Sequence, residues 1–140
     1  MNEIPNCFYR VSIKALVLNE TRDKFLVCKE EDGRWELPGG GLDWDMTPQE
    51  DLPRELMEEM GLKATYIADN PCYFITGRST NHPEIRIANV LFETKLEHLN
   101  FTPSDECIEI KFIDVNEVEG MELFDGPRKL LKMFKPGNHQ

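Results

Sequence analysis

The chain has 140 residues, of which 40% are hydrophobic and 30% are charged, and its formal net charge is −10. This length suits one domain over residues 1–140, and the lack of a membrane-length apolar run or a signal-like N-terminus leads us to expect a cytoplasmic protein with no membrane partner. The acidic balance argues against a nucleic-acid partner, because a phosphate backbone requires a basic surface.

The first forty residues are predicted to form β-strands joined by short turns. Residues 8–18 alternate between apolar and polar side chains, which predicts a half-buried strand. Residues 19–23 are typical of a turn, and 24–28 are predicted to be the hairpin partner of the first strand. A polar turn ending at Gly33 leads to a short strand at 35–37.

The rest of the chain is predicted to contain more strands than helices. After a helix that is described next, strands are expected at 72–76, 85–94 and 108–113. Pro127 can begin a closing helix, because proline is tolerated in the first helical turn. Residues 136–140 are predicted to be a flexible tail. This pattern predicts a mixed sheet covered by helices, in the α/β or α+β class.

The helix between these strands has sequence signals at both of its ends. Thr47 followed three residues later by Glu50 is a capping box, and Pro48 occupies the first helical position. Gly61 is predicted to end the helix in the left-handed conformation.

Three glutamates share one face of this helix, directly after a glycine-rich loop. Glu55, Glu58 and Glu59 fall within an arc of roughly 100°. Like charges three or four residues apart cost about 0.2–0.5 kcal/mol each, so a solvated acidic face is one interpretation. The other is a site for Mg²⁺ or Mn²⁺, because hard cations prefer carboxylate oxygens and would remove the repulsion.

These residues resemble the motif of the Nudix hydrolase family, which is a glycine, five residues, a glutamate, seven residues, and then Arg-Glu-apolar-any-Glu-Glu-any-Gly-apolar. Gly40 takes the first position, and residues 54–62 match the second half at every specified place. The resemblance implies an α/β/α sandwich with a mixed β-sheet between helices. Two residues depart from the usual pattern. Met46 replaces the first glutamate, with Asp43 and Asp45 close by, and Pro53 lies inside the helix, where it is expected to kink the first turns and to leave the carboxylate half regular.

The resemblance also implies a reaction and a cofactor. Nudix hydrolases use Mg²⁺ or Mn²⁺ to cleave the pyrophosphate bond of a nucleoside diphosphate linked to another group. The metal ligands implied here are Glu55, Glu58, Glu59 and the Gly39 carbonyl. The implied catalytic residues are Glu58 and Glu59, Arg54 as the residue that orients the glutamates, and Glu106 as a general base from a later loop.

Three more residues are candidates for binding substrate phosphates, namely Lys14, Lys29 and Gly40. The partner would be a small nucleotide or another nucleoside diphosphate derivative, whose exact identity the sequence leaves open. The alternative function is a catalytically weak Nudix-fold module that binds or senses a nucleotide, and Met46 and Pro53 motivate it. A homodimer is compatible with the resemblance, and the sequence does not decide it.

Overall fold

A computed structural model describes residues 3–140, and these residues contain nine β-strands, two α-helices and one short 3₁₀ helix. Within them, neither α-helix is long and apolar enough to cross a membrane. In chain order the elements are β1 (Phe8–Leu16), β2 (Phe25–Lys29), β3 (Arg34–Glu36), β4 (Gly39–Gly41), α1 (Pro48–Met60), β5 (Ala64–Ile67), β6 (Tyr73–Arg78), β7 (Ile85–Leu96), β8 (Glu109–Ile113), β9 (Glu122–Leu123), α2 (Asp125–Met133) and the 3₁₀ helix Pro136–His139.

The strands form two mixed sheets. In the larger sheet β1 is parallel to β7 and antiparallel to β4, while β5 and β6 pair with β7 antiparallel. The smaller sheet has the strand order β8-β2-β3-β9, with β3 and β9 parallel. Mixed sheets with two helices confirm the predicted α+β class.

Alternate residues of β1 enter two different cores, one under each helix. Ile13 and Ala15 pack in a cluster with Leu56 of α1, whereas Leu16 packs in a cluster with Leu130 of α2. The prediction of a half-buried strand is therefore wrong from Ser12 to Leu16, where both faces are buried. The reason is that β1 is an inner strand with covered faces, and such strands lose the alternating pattern of exposure.

The predicted hairpin between the first two strands forms only next to its turn. Residues 19–23 do form a turn, in which Asn19 Oδ1 accepts hydrogen bonds from the backbone N–H groups of Asp23 and Lys24. After this turn, however, β2 joins the smaller sheet and pairs with β3 and β8. An antiparallel bridge between Leu18 and Phe25 links it to the residues that follow β1, together with backbone hydrogen bonds from Asn19 N to the Lys24 carbonyl at 3.2 Å and from Leu26 N to the Val17 carbonyl at 2.9 Å.

Helix α1 begins and ends where its sequence signals predict. The Thr47 side chain accepts a hydrogen bond from Glu50 N at 3.2 Å, and Glu50 Oε1 accepts one from Thr47 N at 3.0 Å. Gly61 adopts a left-handed φ of 66° and its N–H bonds to the Met57 carbonyl. The helix runs through Pro53, so the carboxylate face that follows is regularly helical.

The C-terminal segment packs beside α2. His139 lies in the 3₁₀ helix, where its Nε2 is 2.6 Å from Tyr73 Oη and its ring stacks on Phe134 with centroids 5.0 Å apart. The flexibility predicted for residues 136–140 stays a prediction, since these contacts describe a position and not a motion.

Candidate active site

A cavity of about 320 Å³ lies between the glycine strand β4 and helix α1. We call it the acidic cavity, because five of its lining residues are glutamates. Its lining consists of Cys28, Glu30, Glu36, Leu37, Gly39, Gly40, Gly41, Glu55, Glu59 and Glu106. The tertiary structure thus adds Glu30 and Glu36, which no motif in the sequence had singled out, to three of the predicted site glutamates.

Glu59 forms the most deeply buried acidic group of this cavity. The residue is only 6% exposed, which rules out a solvated acidic face at this position. Burial raises the pKa of the Glu59 carboxyl to about 8, although the nearby Lys14 ammonium opposes this shift. Glu106 acts in the same direction as burial, because its negative charge also disfavours the ionised form of Glu59. A cation bound here would therefore compete with a proton.

Glu55 lines the same cavity one helical turn earlier. Its side chain packs so tightly against the glycine strand that a Cβ built on Gly40 would lie 2.6 Å from Glu55 Oε2. Burial raises the pKa of Glu55, while the Arg54 guanidinium opposes that shift. Glycine at position 40 is thus what allows this carboxylate to reach the cavity.

Glu58 differs from its two neighbours because it does not line the acidic cavity. Its side chain is 61% exposed and accepts a hydrogen bond from Arg54 Nη1 at 2.8 Å. The structure therefore brings Glu55 and Glu59 together and leaves Glu58 in solvent. Its assignment as a metal ligand and catalytic residue stays a prediction.

Arg54 is the centre of a hydrogen-bond network that includes a residue missed in the sequence. Arg54 Nε donates to Asp51 Oδ1 at 2.9 Å, and Asp51 is fully buried. Asp51 Oδ2 also accepts a hydrogen bond from Asp43 N at 3.0 Å, which ties the loop after the glycine strand to the helix. The spacing of Asp51 and Arg54 at i,i+3 was the available sequence signal.

Arg54 has carboxylate partners even though Met46 stands where the family motif has a glutamate. Arg54 Nη2 contacts Asp43 Oδ2 at 3.0 Å and Glu55 Oε1 at 3.1 Å. Asp43 of the loop and Asp51 of the helix therefore hold the guanidinium between them. Asp45, the other nearby candidate, lines a different cavity together with Met46.

Lys14 lies beside the acidic cavity, in a neighbouring space that we call the middle cavity. Lys14 is buried, its Nζ donates to the Leu37 carbonyl at 3.3 Å, and its charge acts on Glu59. The middle cavity is lined by Ser12, Lys14, Glu36, Gly77, Arg78, Ser79, Thr80, Ile87, Asn89, Phe124, Asp125 and Gly126. Lys29 lines neither cavity, and its Nζ lies 5.8 Å from the centroid of the Trp35 ring.

Glu106 reaches the acidic cavity from a tight turn between β7 and β8. Ser104 and Cys107 close this turn with reciprocal backbone hydrogen bonds of 3.0 and 3.1 Å. The turn is fastened to the end of α1, because Ser104 Oγ donates to the Glu59 carbonyl at 2.7 Å. An acidic loop residue is thereby held opposite the helix glutamates.

The donors in the acidic cavity fit a hard divalent cation by their chemistry. Glu55, Glu59 and Glu106 supply carboxylate oxygens, and Gly39 lines the same space. Between residues 3 and 140, however, no three His, Cys, Asp or Glu side chains are already grouped closely enough to hold one metal ion. Binding would therefore require movement of side chains, and the exposed Glu58 would have to give up its hydrogen bond to Arg54 in order to turn towards the cavity.

A family model described as NUDIX domain matches residues 8–134, which is most of the chain. The chain belongs to the NUDIX domain family. The match confirms the resemblance drawn from the motif of residues 40–62, and it includes every residue assigned to the site. It does not test the role of any single residue, so those assignments remain predictions.

NUDIX relatives among curated proteins match only part of this chain. A MutT-like protein from Streptomyces ambofaciens is 36% identical over 55 residues, which cover 39% of this chain and 36% of that protein. An RNA pyrophosphohydrolase from Marinomonas sp. (strain MWYL1) is 37% identical over 54 residues, covering 39% and 34%. These matches span about a third of the length of each relative.

Solved NUDIX structures match over nearly the whole chain. The crystal structure of a MutT protein from Methanosarcina mazei Go1 has a TM-score of 0.76 and 25% identity, and it covers 98% of this chain and 100% of its own. An ADP-ribose pyrophosphatase from Streptococcus suis 89-1591 has a TM-score of 0.62 and 25% identity, covering 89% and 87%. These likenesses confirm the predicted Nudix-like fold.

The glycine strand offers a direct test of how the NUDIX cavity is built. Gly40→Ala is expected to lower catalytic turnover by roughly 10²-fold with little loss of stability, because the new methyl group displaces the side chain of Glu55. Gly137→Ala is the control, since this glycine lies outside the acidic cavity and a methyl group there meets nothing within 4 Å. Steady-state kinetics and thermal melting of both variants check this expectation. Equal turnover in the two variants would contradict it.

Proposed function

We propose that this NUDIX protein hydrolyses the pyrophosphate bond of a nucleoside diphosphate linked to another group, with Mg²⁺ or Mn²⁺ as its cofactor. One observation carries the proposal, namely that Glu55, Glu59 and Glu106 meet the glycine strand in one cavity. Family membership and the names of the relatives support it. The substrate would be a small nucleotide derivative such as a nucleoside triphosphate or a nucleotide sugar.

The site glutamates and two neighbouring basic residues have separate roles in this proposal. A divalent cation held by the carboxylates would neutralise charge on the phosphate oxygens and lower the pKa of a bound water. Glu55 and Glu59 are the primary ligands, and Arg54 positions Glu55. Lys14 lies near enough to Glu59 to act on its pKa and can offer its ammonium group to a substrate phosphate.

The general base is assigned to Glu106. It is exposed and faces the buried glutamates across the cavity, so it can accept a proton from an attacking water and release it to solvent. The turn that is closed by the hydrogen bonds between Ser104 and Cys107 would keep the Glu106 carboxylate near the reacting phosphorus.

A phosphate-release screen, coupled to a phosphatase or a pyrophosphatase, tests the proposal. The panel contains nucleoside triphosphates, nucleotide sugars and dinucleotides, each with Mg²⁺, with Mn²⁺ and with a chelator. We expect turnover that is lost in the chelator and restored by added metal. We also expect either metal to raise the melting temperature, because a ligand of the folded state alone stabilises it.

The alternative of a catalytically weak nucleotide-binding module has its own outcome in this screen. It is favoured by Met46 and by the position of Glu58 outside the cavity. If no substrate of the panel is turned over but nucleotides still raise the melting temperature, the binding module is supported and the hydrolase is contradicted. A chain that neither turns over nucleotides nor responds to them or to metal would contradict both functions.

A further inference from the structure

Four basic side chains gather in a cavity of about 270 Å³ at the far end of the middle cavity. Arg78, Arg86, Arg128 and Lys129 line it around a single carboxylate, Asp125, and we call these five residues the basic patch. The protein as a whole has a net charge of −10. A local excess of cations in such a chain points to a negatively charged ligand.

The acidic cavity, the middle cavity and the cavity of the basic patch follow one another, because each neighbouring pair shares lining residues. Glu36 lines both the acidic cavity and the middle cavity. Arg78 and Asp125 line both the middle cavity and the cavity of the basic patch. A ligand with its pyrophosphate in the acidic cavity can therefore extend through the middle cavity towards these cations.

The strands force like charges together at the patch. Arg78 of β6 and Arg86 of β7 are direct cross-strand partners, an arrangement that is unfavourable for two cations. Asp125 offsets part of this repulsion, because both of its oxygens accept hydrogen bonds from the Arg78 guanidinium at 2.9 Å. Gly77 permits this approach, since a Cβ there would lie 2.9 Å from Asp125 Cβ.

One carboxylate does not use all the donors of these cations. Arg128 Nη2 shares Asp125 Oδ1 at 2.7 Å, and an arginine side chain carries five N–H donors in total. The side chains of Arg78 and Arg128 remain 75% and 44% exposed. Arg86 Nη1 donates to the Pro83 carbonyl and Lys129 Nζ to the Thr76 carbonyl, and the other donors of these side chains are available to a further anion.

We propose that the basic patch binds a second phosphate group of the substrate, attached on the 3′ side of the nucleoside whose pyrophosphate lies in the acidic cavity. This inference rests on the proposed function and narrows its substrate class. The nucleoside itself would occupy the middle cavity, where the buried amide of Asn89 and the hydroxyl of Ser12 lie. Tyr9, which is exposed and lines the same cavity as the basic patch, offers a ring on which a following base can stack.

Three substrates test whether the negative charge of the second phosphate group contributes to recognition. They are ATP, the 5′-triphosphorylated dinucleotide pppApA, and the same dinucleotide with an uncharged methylphosphonate linkage. We expect kcat/KM for pppApA to exceed that for the methylphosphonate form by about tenfold, because hydrogen bonds to a charged group are among the stronger ones. This preference should shrink at high salt, since the patch is partly exposed.

Two variants test which residues carry the preference. Arg86→Gln/Arg128→Gln is expected to lower kcat/KM for pppApA about tenfold and to leave ATP unchanged. Arg78 is not substituted in this variant, because its guanidinium holds Asp125 in place by hydrogen bonds. Lys132→Gln on the same helix, outside the patch, is the matched control and should change neither substrate.

The outcomes distinguish this inference from the function on which it rests. If the wild type cleaves none of the three substrates, the proposed function fails for triphosphates. If it cleaves all three equally, or if the double variant loses ATP and pppApA to the same extent, hydrolysis stands and the second phosphate site is wrong. Preference for pppApA, retained in Lys132→Gln and lost in the double variant, supports the site.

Discussion

Glu59→Gln is expected to lower metal-dependent turnover by roughly 10³-fold while the fold is retained. The amide has the shape of the protonated carboxyl that burial favours at this position, so the core around it is preserved. It cannot become an anionic metal ligand, however, and that is the predicted role of Glu59. Steady-state kinetics in Mg²⁺ and in Mn²⁺ check the expectation, and undiminished turnover in this variant would refute the role.

The pH dependence of stability provides the second readout for this variant. Without metal, the pKa of Glu59 is raised from an ordinary value of 4.5 to about 8. Between these two pH values the folded protein therefore keeps a proton on Glu59 that the unfolded chain releases. The resulting stabilisation is complete below about pH 4.5 and is lost as the pH rises through 8. In a chelating buffer, we therefore expect Glu59→Gln to gain thermal stability relative to the wild type between pH 5 and pH 9.

A matched control separates this effect from a simple change of charge. Glu119→Gln also removes one negative charge, from an exposed position in the loop between β8 and β9. It should melt like the wild type at every pH and retain full turnover. If both variants gain stability with rising pH, general charge repulsion and not the buried carboxyl is responsible.

Asp51→Asn is expected to destabilise the protein by roughly 2–3 kcal/mol and to lower turnover as well. Asp51 is fully buried and accepts hydrogen bonds from Arg54 and from the Asp43 backbone, so an amide at this place presents an N–H group to a donor. Arg54 would then lose its buried carboxylate partner, and Glu55, which it contacts, would lose its position. Thermal melting and steady-state kinetics measure the two effects.

Asp43→Asn is the appropriate comparison for this prediction. The Asp43 side chain contacts the same guanidinium but is 59% exposed, and exposed ion pairs contribute only about 0–1 kcal/mol. We therefore expect a clearly smaller loss of stability than in Asp51→Asn. Equal losses in the two variants would show that burial of Asp51 does not matter for holding Arg54.

The helix that carries the site could be predicted because its signals are local. The capping box at Thr47, the glycine at 61 and the family motif of residues 40–62 all act within a few residues of each other. The positions of the longer strands along the chain followed from short-range patterns as well. The pairing of β2 did not, because the turn at 19–23 does not determine which sheet the chain enters next.

The sequence by itself determined the family, the class of fold and the glutamate-bearing helix, since each depends on residues that are adjacent or regularly spaced. The tertiary structure alone decided which carboxylates share a cavity. Glu30, Glu36 and Glu106 join Glu55 and Glu59 only through the packing of separate strands and loops, and the same packing leaves Glu58 in solvent. Burial, which raises the pKa of Glu59, is likewise a property of the whole fold, because it depends on every element that covers the group.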